Sequence, residues 1–296
     1  MKIKALFLIA MLTVSAAMQA QTERNIIYCC SRGNMTYTQP EPKKESTAKT
    51  VGNIIGSVLL AAAGTSSSTT DMPAYADAVK DAIVGAVGCT YRLRVVDGNV
   101  TDNIPEGTIP CYIDASISAI TATKQINVWT DSNKKTHEDT EYRGNITGTI
   151  NIKNAQTGAI IYTHTINSSS WADSWFATQD KALGYAISRM KQNIANGLNS
   201  AYPLYASIVE GARATKSKEK EVYIDLGEKM GCTVGTHFYV YTVKTVAGKE
   251  AKKQIGQLKV TEVMGDDISF CKVQRGGAAI KAAIEAGEAL LITSKD

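Results

Sequence analysis

Hydrophobic residues recur with helical spacing in two segments of the chain. Residues 71–87 and 180–199 each carry an apolar residue at every third or fourth position, the spacing that places side chains on one face of a helix. Asp71 is a capping residue for the first helix and Gly88 should end it, whereas Pro203 bars continuation of the second. The pattern therefore predicts two amphipathic helices.

Alternation of apolar and polar residues predicts strands around these helices. From Tyr112 onward the predicted buried face consists of Ile113, Ala115, Ile117 and Ala119. The clearest hairpin turns at NAQTG, and its inner faces are predicted to hold Ile146, Ile150 and Ile152 before the turn and Ile160, Tyr162 and Ile166 after it. Shorter strands are predicted at residues 25–30 and 91–96.

Polar and apolar segments alternate near the start of the chain. Residues 31–46 are polar and predict a loop, and the Ser/Thr-rich residues 64–70 predict a flexible break. Between them, residues 51–63 form an apolar run that is shorter than the roughly 20 residues a spanning helix needs. We predict a buried or interfacial helix there.

The pattern changes after Pro203, where short strands separated by glycines predict a second domain. The predicted strands are residues 206–210, 221–226, 237–244, 254–263, 268–273 and 289–293. The fold class expected is therefore α/β or α+β in residues 21–203, with a β-meander flanked by helices, followed by a small all-β, barrel-like domain in residues 204–296.

Residues 1–20 have the three-part pattern of a secretory signal peptide. Two lysines precede an apolar run, and small residues follow it up to Ala20. We place cleavage after Ala20, with Ala17 as the alternative site. No cysteine follows a small residue at the end of the run, so the chain is not expected to be a lipoprotein. We expect a periplasmic protein with no transmembrane helix in the mature chain and with peripheral outer-membrane association as an option.

Composition narrows the classes of function. The chain is 44% apolar and 20% charged, as in ordinary globular proteins. Removing Lys2 and Lys4 with the signal peptide lowers the net charge from +4 to +2, a balance that predicts no nucleic-acid partner. The six cysteines are scattered, without zinc spacing, and are interpreted mainly as buried apolar residues; Cys232 with Cys271 is the disulfide we would test first.

Motifs for catalysis, metal or cofactors are missing from the sequence. The three histidines, His137, His164 and His237, have no ligand-type or triad spacing, and His137 is interpreted as a solvated residue in a charged run. We therefore expect no enzyme, no metal and no cofactor. The aromatic cluster Trp171, Trp175 and Phe176 has two interpretations, an exposed partner-binding anchor or a cover completing the core.

The order of elements resembles the superfamily that contains the curli-secretion protein CsgG, the penicillin-binding-protein activator LpoB and the flagellar assembly protein FlgT. The resemblance is carried by the NAQTG hairpin, the helix beginning DKALGYAI, and YPLYASIVE leading into VYIDLGEKMGCTVGTHFYVY. It implies a strand, helix, meander, helix core and a closing β-domain like that of FlgT. CsgG inserts two membrane-spanning hairpins, and the matching stretches here are residues 122–142 and 168–178. The first stretch could form such a hairpin only if its charged run is a solvated tip.

We consider three hypotheses on function, the first two of which are implied by the resemblance. The leading one is a non-enzymatic exported cell-envelope protein that binds or assembles other envelope proteins, self-association included. The alternative is a secretion-channel subunit of CsgG type in the outer membrane. The third is a hydrolase whose site is assembled from distant residues.

Overall fold

The computed structural model describes residues 25–38, 65–168, 174–246, 249–288 and 290–294. In these ranges the fold is mostly β, with two sheets and three α-helices. The predicted signal peptide and the predicted helix at residues 51–63 lie outside the described residues. No helix in the described ranges is long and apolar enough to span a membrane.

The first sheet and two helices form the first half of the fold. The strands are β1 (Ile27–Tyr37), β2 (Thr65–Asp71), β3 (Leu93–Val95), β4 (Thr108–Thr130), β5 (Thr136–Asn154) and β6 (Ile160–Asn167). Their order is β3-β1-β4-β5-β6, and β2 pairs with the outer part of β4. Helices α1 (Ala76–Val87) and α2 (Gln179–Ala201) pack on one face, where Ile83, Ile117 and Leu183 are fully buried. The coarse expectation of strands and helices in layers is confirmed.

Two predicted irregular segments are strands. Residues 31–37, predicted as loop, continue β1, and residues 65–70, predicted as a flexible break, belong to β2. Both predictions were wrong because pairing with a distant strand orders the two segments, and Met35 and Tyr37 in the first of them also pack against the core. Each is held by backbone hydrogen bonds to β4, β1 in parallel and β2 in antiparallel orientation.

Two β-bulges change the predicted faces. A register shift between Ile117 and Ala119 moves Ile120, in place of Ala119, into the core. A second shift between Ile152 and Lys153 turns Ile160 away from the face of Tyr162, and Ile160 is 59% exposed. A single extra residue reverses the alternation of every residue beyond it, so strict period two mispredicts both positions.

Both predicted helices are present. The first begins with a 3-10 turn at Pro73–Tyr75 and ends at Val87 before Gly88, but Asp71 is the last residue of β2 and does not cap it. In α2 the Thr178 side chain accepts a hydrogen bond from the Lys181 N–H and caps the helix.

The second sheet has seven strands and is curled. They are β7 (Tyr205–Ala206), β8 (Ile208–Ala214), β9 (Glu219–Ile224), β10 (His237–Val246), β11 (Lys249–Val263), β12 (Ser269–Arg275) and β13 (Leu290–Thr293). Their order runs β7-β13-β10-β11-β12-β9-β8. The first and last strands of this order are separated in sequence only by Ser207, whose N–H donates to the Asp225 carboxylate at 2.5 Å. The sheet therefore curls back on itself, as expected for a barrel-like unit. The prediction of an all-β unit was wrong, because the second half also contains helix α3 (Gly277–Glu285).

The two halves have separate cores that meet at a polar junction. The first core runs to Leu198 and the second begins at Leu204, with Tyr91 of the first half packed against it. Arg94 Nη2 donates to the backbone carbonyls of Glu228 and Lys229, at 3.1 and 2.8 Å. The domain boundary near residue 203 stays a prediction.

A buried arginine lies close to this junction. The Arg92 guanidinium is 5.8 Å from the centre of the Tyr28 ring and 5.9 Å from that of Tyr202, and its Nε donates to the Ile26 carbonyl at 2.9 Å. Burial lowers the pKa of Arg92 and raises the pKa of Tyr202 to about 12. The two rings and the carbonyl thus compensate for part of the hydration that the cation loses.

The cysteine pair predicted from the sequence lies in the second core. Cys232 and Cys271 are both buried and both free thiols in the structure, so the predicted bond between them is absent there and stays a prediction. Burial, with the nearby Cys232, raises the pKa of the Cys271 thiol to about 12.

A pair of glycine substitutions tests the packing of α2 on the first sheet. A Cβ on Gly144 would lie 2.6 Å from the Ala182 carbonyl oxygen, so Gly144→Ala should lower the free energy of unfolding by about 1–3 kcal/mol. Gly184 is inside α2, and nothing in the described part of the chain lies within 4 Å of its would-be Cβ; Gly184→Ala should raise stability by up to about 1 kcal/mol. Urea unfolding measures both. A Gly144→Ala variant as stable as the parent would contradict this packing.

Candidate interaction surface

The outer part of the first sheet forms an extension that we call the β-arm. It consists of β2 with residues 121–130 of β4 and 136–145 of β5. Helix α2 reaches this extension only at its base, where Gly144 meets Ala182. Farther out, the residues of β4 and β5 in the arm are partly or fully exposed. The arm therefore presents both faces and its tip.

The face of the arm away from α2 carries a network of polar side chains. The hydroxyls of Thr69 and Thr123 are 3.1 Å apart across the β2–β4 pair. Gln125 Nε2 donates to Asn127 Oδ1 at 2.7 Å, and Asn127 Nδ2 donates to Glu141 Oε2 at 3.5 Å. Cross-strand pairs of this kind stabilise a sheet without an apolar core on that side, which explains how a polar arm keeps its shape.

The tip of the arm holds an exposed tryptophan in a defined orientation. Trp129 is 50% exposed and lies directly opposite His137. The two rings stack with centroids 4.4 Å apart at 17° between planes, and the Trp129 Nε1–H donates to Asp139 Oδ2 at 2.9 Å. One ring face and the polar edge are thereby held in place, and half of the indole surface remains available to a partner.

The turn that closes the tip is organised by Asp131. Its carboxylate accepts hydrogen bonds from the backbone N–H groups of Asn133 and Lys135, both at 2.9 Å, and lies 3.1 Å from His137 Nε2. The Lys135 N–H, followed by the His137 ring, lowers the pKa of Asp131 because these donors stabilise the ionised form. The charged run that the sequence placed between two strands is thus an ordered tip.

His137 is the residue that the sequence interpretation misjudged. It was expected to be solvated, but it is half-buried between Trp129 and Asp131. The signal available in the sequence was a hairpin centred on residues 131–135. In that hairpin Trp129 and His137 become cross-strand neighbours, and the pairing depends on a register that single-strand patterns do not supply.

The predicted aromatic site lies at the base of the arm. Phe176 forms an isolated bridge with Tyr142, with backbone hydrogen bonds of 2.7 and 2.9 Å, and its ring is 5.1 Å from that of Tyr185 on α2. Phe176 and Trp175 are half-buried, while Trp171 lies outside the described residues. The structure therefore does not bring this segment together with the tip, and the two form separate parts of the surface.

The remaining histidines do not join a chemical site. His237 is exposed at the start of β10. His164 lies against α2 beside Tyr162, whose hydroxyl is 3.3 Å from His164 Nδ1. In the described ranges no group of three or more His, Cys, Asp or Glu side chains is arranged to hold a metal ion.

A cleft of about 430 Å³ lies between the two sheets, and its lining includes Ile27, Arg94, Asp225 and Met230. Arg94 is already paired with two carbonyls there, and the Asp225 carboxylate accepts from Ser207. Arg94 thus joins the two halves, and the Asp225 contact lies within the second half. We take the β-arm as the candidate interaction surface because its tip holds an exposed Trp129 in a defined orientation.

Comparisons with known proteins give little further information. No family model matches the chain, and no curated protein matches it. Among the solved structures that match is a crystal structure described as a neuraminyllactose-binding hemagglutinin homolog from Helicobacter pylori, 10% identical, covering 60% of this chain and 88% of that chain with a TM-score of 0.32. At that TM-score the likeness supports no conclusion.

The pH dependence of stability should report on His164. Burial lowers the pKa of His164, because the imidazolium form loses hydration against α2. The unfolded chain therefore takes up a proton first as the pH falls below about 6.5. Stability should be fully present above that pH and decrease as the pH falls toward the folded-state pKa. Thermal unfolding at pH 7.5 and at pH 5.0 measures this loss of stability. The difference in Tm between the two pH values should be smaller for the His164→Gln variant. An unchanged difference would show that other groups cause the loss.

Proposed function

We propose that the protein is an exported, non-enzymatic cell-envelope protein that binds other envelope proteins through the tip of its β-arm. The observation that carries the proposal is the exposed Trp129, held by His137 on one ring face and by Asp139 at its N–H. Aromatic side chains that are fixed before binding lose little conformational entropy on association, and tryptophan is enriched among residues that dominate binding energy.

The fold contributes a second line of support. The described elements contain a strand, a helix, a meander, a helix and a curled β unit in that order, with β2 and β3 added on either side of the first helix. Apart from these two strands, this is the order implied by the resemblance to CsgG, LpoB and FlgT. We propose membership of that superfamily, periplasmic localisation and the domains 21–203 and 204–296 on this basis. The half-buried segment with Trp175 and Phe176 is proposed as a secondary contact at the base of the arm.

A channel subunit is the second candidate, because residues 122–142 do form a hairpin with a charged tip, as that hypothesis required. The residues of the hairpin argue against the channel candidate. On the face that contains Ile126 and Val128, Lys124 is directly opposite Tyr142, and Glu138 is directly opposite Val128. A lipid-facing surface with charges at both positions carries a cost of several kcal/mol, on the order of 2–4 for a lysine at the midplane.

Site-specific photo-crosslinking in living cells tests the proposed function. A photoreactive residue at Thr130, beside the tip, should give adducts with envelope proteins, and the same residue at Gln156, in the turn at the opposite end of β5, should not. Trp129→Ala should reduce the Thr130 adducts about tenfold or more, the change expected for a residue worth about 1.4 kcal/mol or more in binding.

The matched control is Ile160→Ala, which removes another exposed apolar side chain at the far end of the same sheet. Both variants should keep Tm within about 2 °C of the parent, because exposed substitutions change stability little. Adducts that do not depend on Trp129 would overturn the proposal. Ring-shaped oligomers in outer-membrane fractions would support the channel candidate in its place.

A further inference from the structure

Two cysteines outside the predicted pair are direct neighbours in the first sheet. Cys30 in β1 and Cys111 in β4 are paired in the parallel register of these strands, with Cys29–Pro110 and Ser31–Tyr112 on either side. Both side chains are fully buried in the first core, and both are free thiols in the structure. The Cys30 thiol donates to the Tyr28 carbonyl at 3.9 Å, and its interaction with Cys111 raises the pKa of Cys30 and lowers that of Cys111. The two sulfurs are therefore neighbours.

The placement meets the Cα-distance condition for a disulfide. Directly paired residues on adjacent strands have Cα atoms about 4.8 Å apart, inside the usual disulfide range of about 4.4–6.8 Å. Paired residues also project from the same face of the sheet, so the two Cβ atoms point in the same direction. Cys29, one residue earlier in β1, projects from the opposite face and is excluded.

We propose that Cys30 and Cys111 form a structural disulfide that joins β1 to β4 when the chain folds in an oxidising compartment. The proposal rests on the expected export of the chain, not on partner binding at the arm. It was not accessible from the sequence, because the two cysteines are far apart in the chain and lie in elements with several alternative registers.

The reaction is a thiol–disulfide exchange with a disulfide-bearing oxidant, such as an exported thiol oxidoreductase or glutathione disulfide. One cysteine thiolate attacks the S–S bond of the oxidant, forms a mixed disulfide and expels one thiolate. The second cysteine thiolate attacks the mixed disulfide, forms the Cys30–Cys111 bond and expels the other. The two cysteine protons end on the two released thiols, so the protein is oxidised by two electrons and the oxidant is reduced by two.

Burial of the two cysteines determines when the disulfide can form. Each sulfur belongs to a residue with 0% exposure, so the oxidant reaches the thiols before the core closes. Once the core has closed, the same burial excludes reductants. The bond should therefore form during folding and resist reduction in the native state, whereas Cys89 is exposed and stays reactive.

Differential alkylation followed by peptide mass mapping tests the proposal on the protein as cells export it. Without denaturant, only Cys89 should be labelled. In denaturant without reductant, Cys29 should be labelled as well, and Cys30 and Cys111 only after reduction. Fragment spectra, together with a Cys29→Ala variant, assign the bond to Cys30. Labelling of Cys30 and Cys111 before reduction, or a bond from Cys111 to Cys29, would overturn the proposal.

A second measurement separates the proposal from the export on which it rests. The full chain is reduced, unfolded and refolded with glutathione and glutathione disulfide, where the Cys30–Cys111 peptide should again appear. The Tm of this oxidised chain should exceed that of the chain refolded in reductant by more than about 5 °C, because the bond closes a long loop in the unfolded state. Absence of the linked peptide in this sample rejects the disulfide whatever the localisation, and it leaves partner binding by Trp129 untouched.

Discussion

The backbone pairing of β4 is the constraint on which the first half of the structure depends. One edge of β4 is hydrogen-bonded to β5 from Cys111 to Thr130, and the other edge is shared by β1 in its first half and by β2 in its second. Because an unpaired and buried backbone group costs free energy, the buried inner part of β4 needs partners on both edges. Pairing with β4 also orders the polar β2 and the polar end of β1, where Met35 and Tyr37 add contacts to the first core.

This pairing accounts for an arm that is stiff without a core of its own. At its base Gly144 lets the sheet approach α2 closely, so the helix anchors the inner part of β5. Beyond that point the side-chain network of Gln125, Asn127 and Glu141 continues along one face to Trp129. Each of these exposed interactions is small, and their number along paired strands keeps the tip ordered. An exposed aromatic residue supported in this way loses less conformational entropy on binding than one on a loose loop.

The same sheet brings together residues from distant parts of the chain. The parallel pairing of β1 with β4 places Cys30 beside Cys111, and the pairing of β1 with β3 brings Arg92 beside the rings of Tyr28 and Tyr202. The junction with the second half is built next to them, by Tyr91, Arg94 and the carbonyls of Glu228 and Lys229. The strands β1, β3 and β4 therefore form part of the first core and also position the residues that contact the second half.

The elements that bury an apolar stripe could be predicted from the residue pattern alone. The two amphipathic helices, the NAQTG hairpin and the main strands after Pro203 were predicted, because their periodicity follows from which side chains must leave water. Helix α3 was missed, since the short alanine-rich segment lies among glycines that indicate turns.

The remaining features depend on contacts between distant parts of the chain. The order of residues 31–37 and 65–70, the two bulges that reversed Ala119 and Ile160, and the stacking of His137 on Trp129 all depend on partner strands. Register and bulges are properties of pairs of strands, and a local pattern contains no information on the second member. For the same reason the Cys30–Cys111 contact was invisible in the sequence, where only the spacing of single residues can be compared.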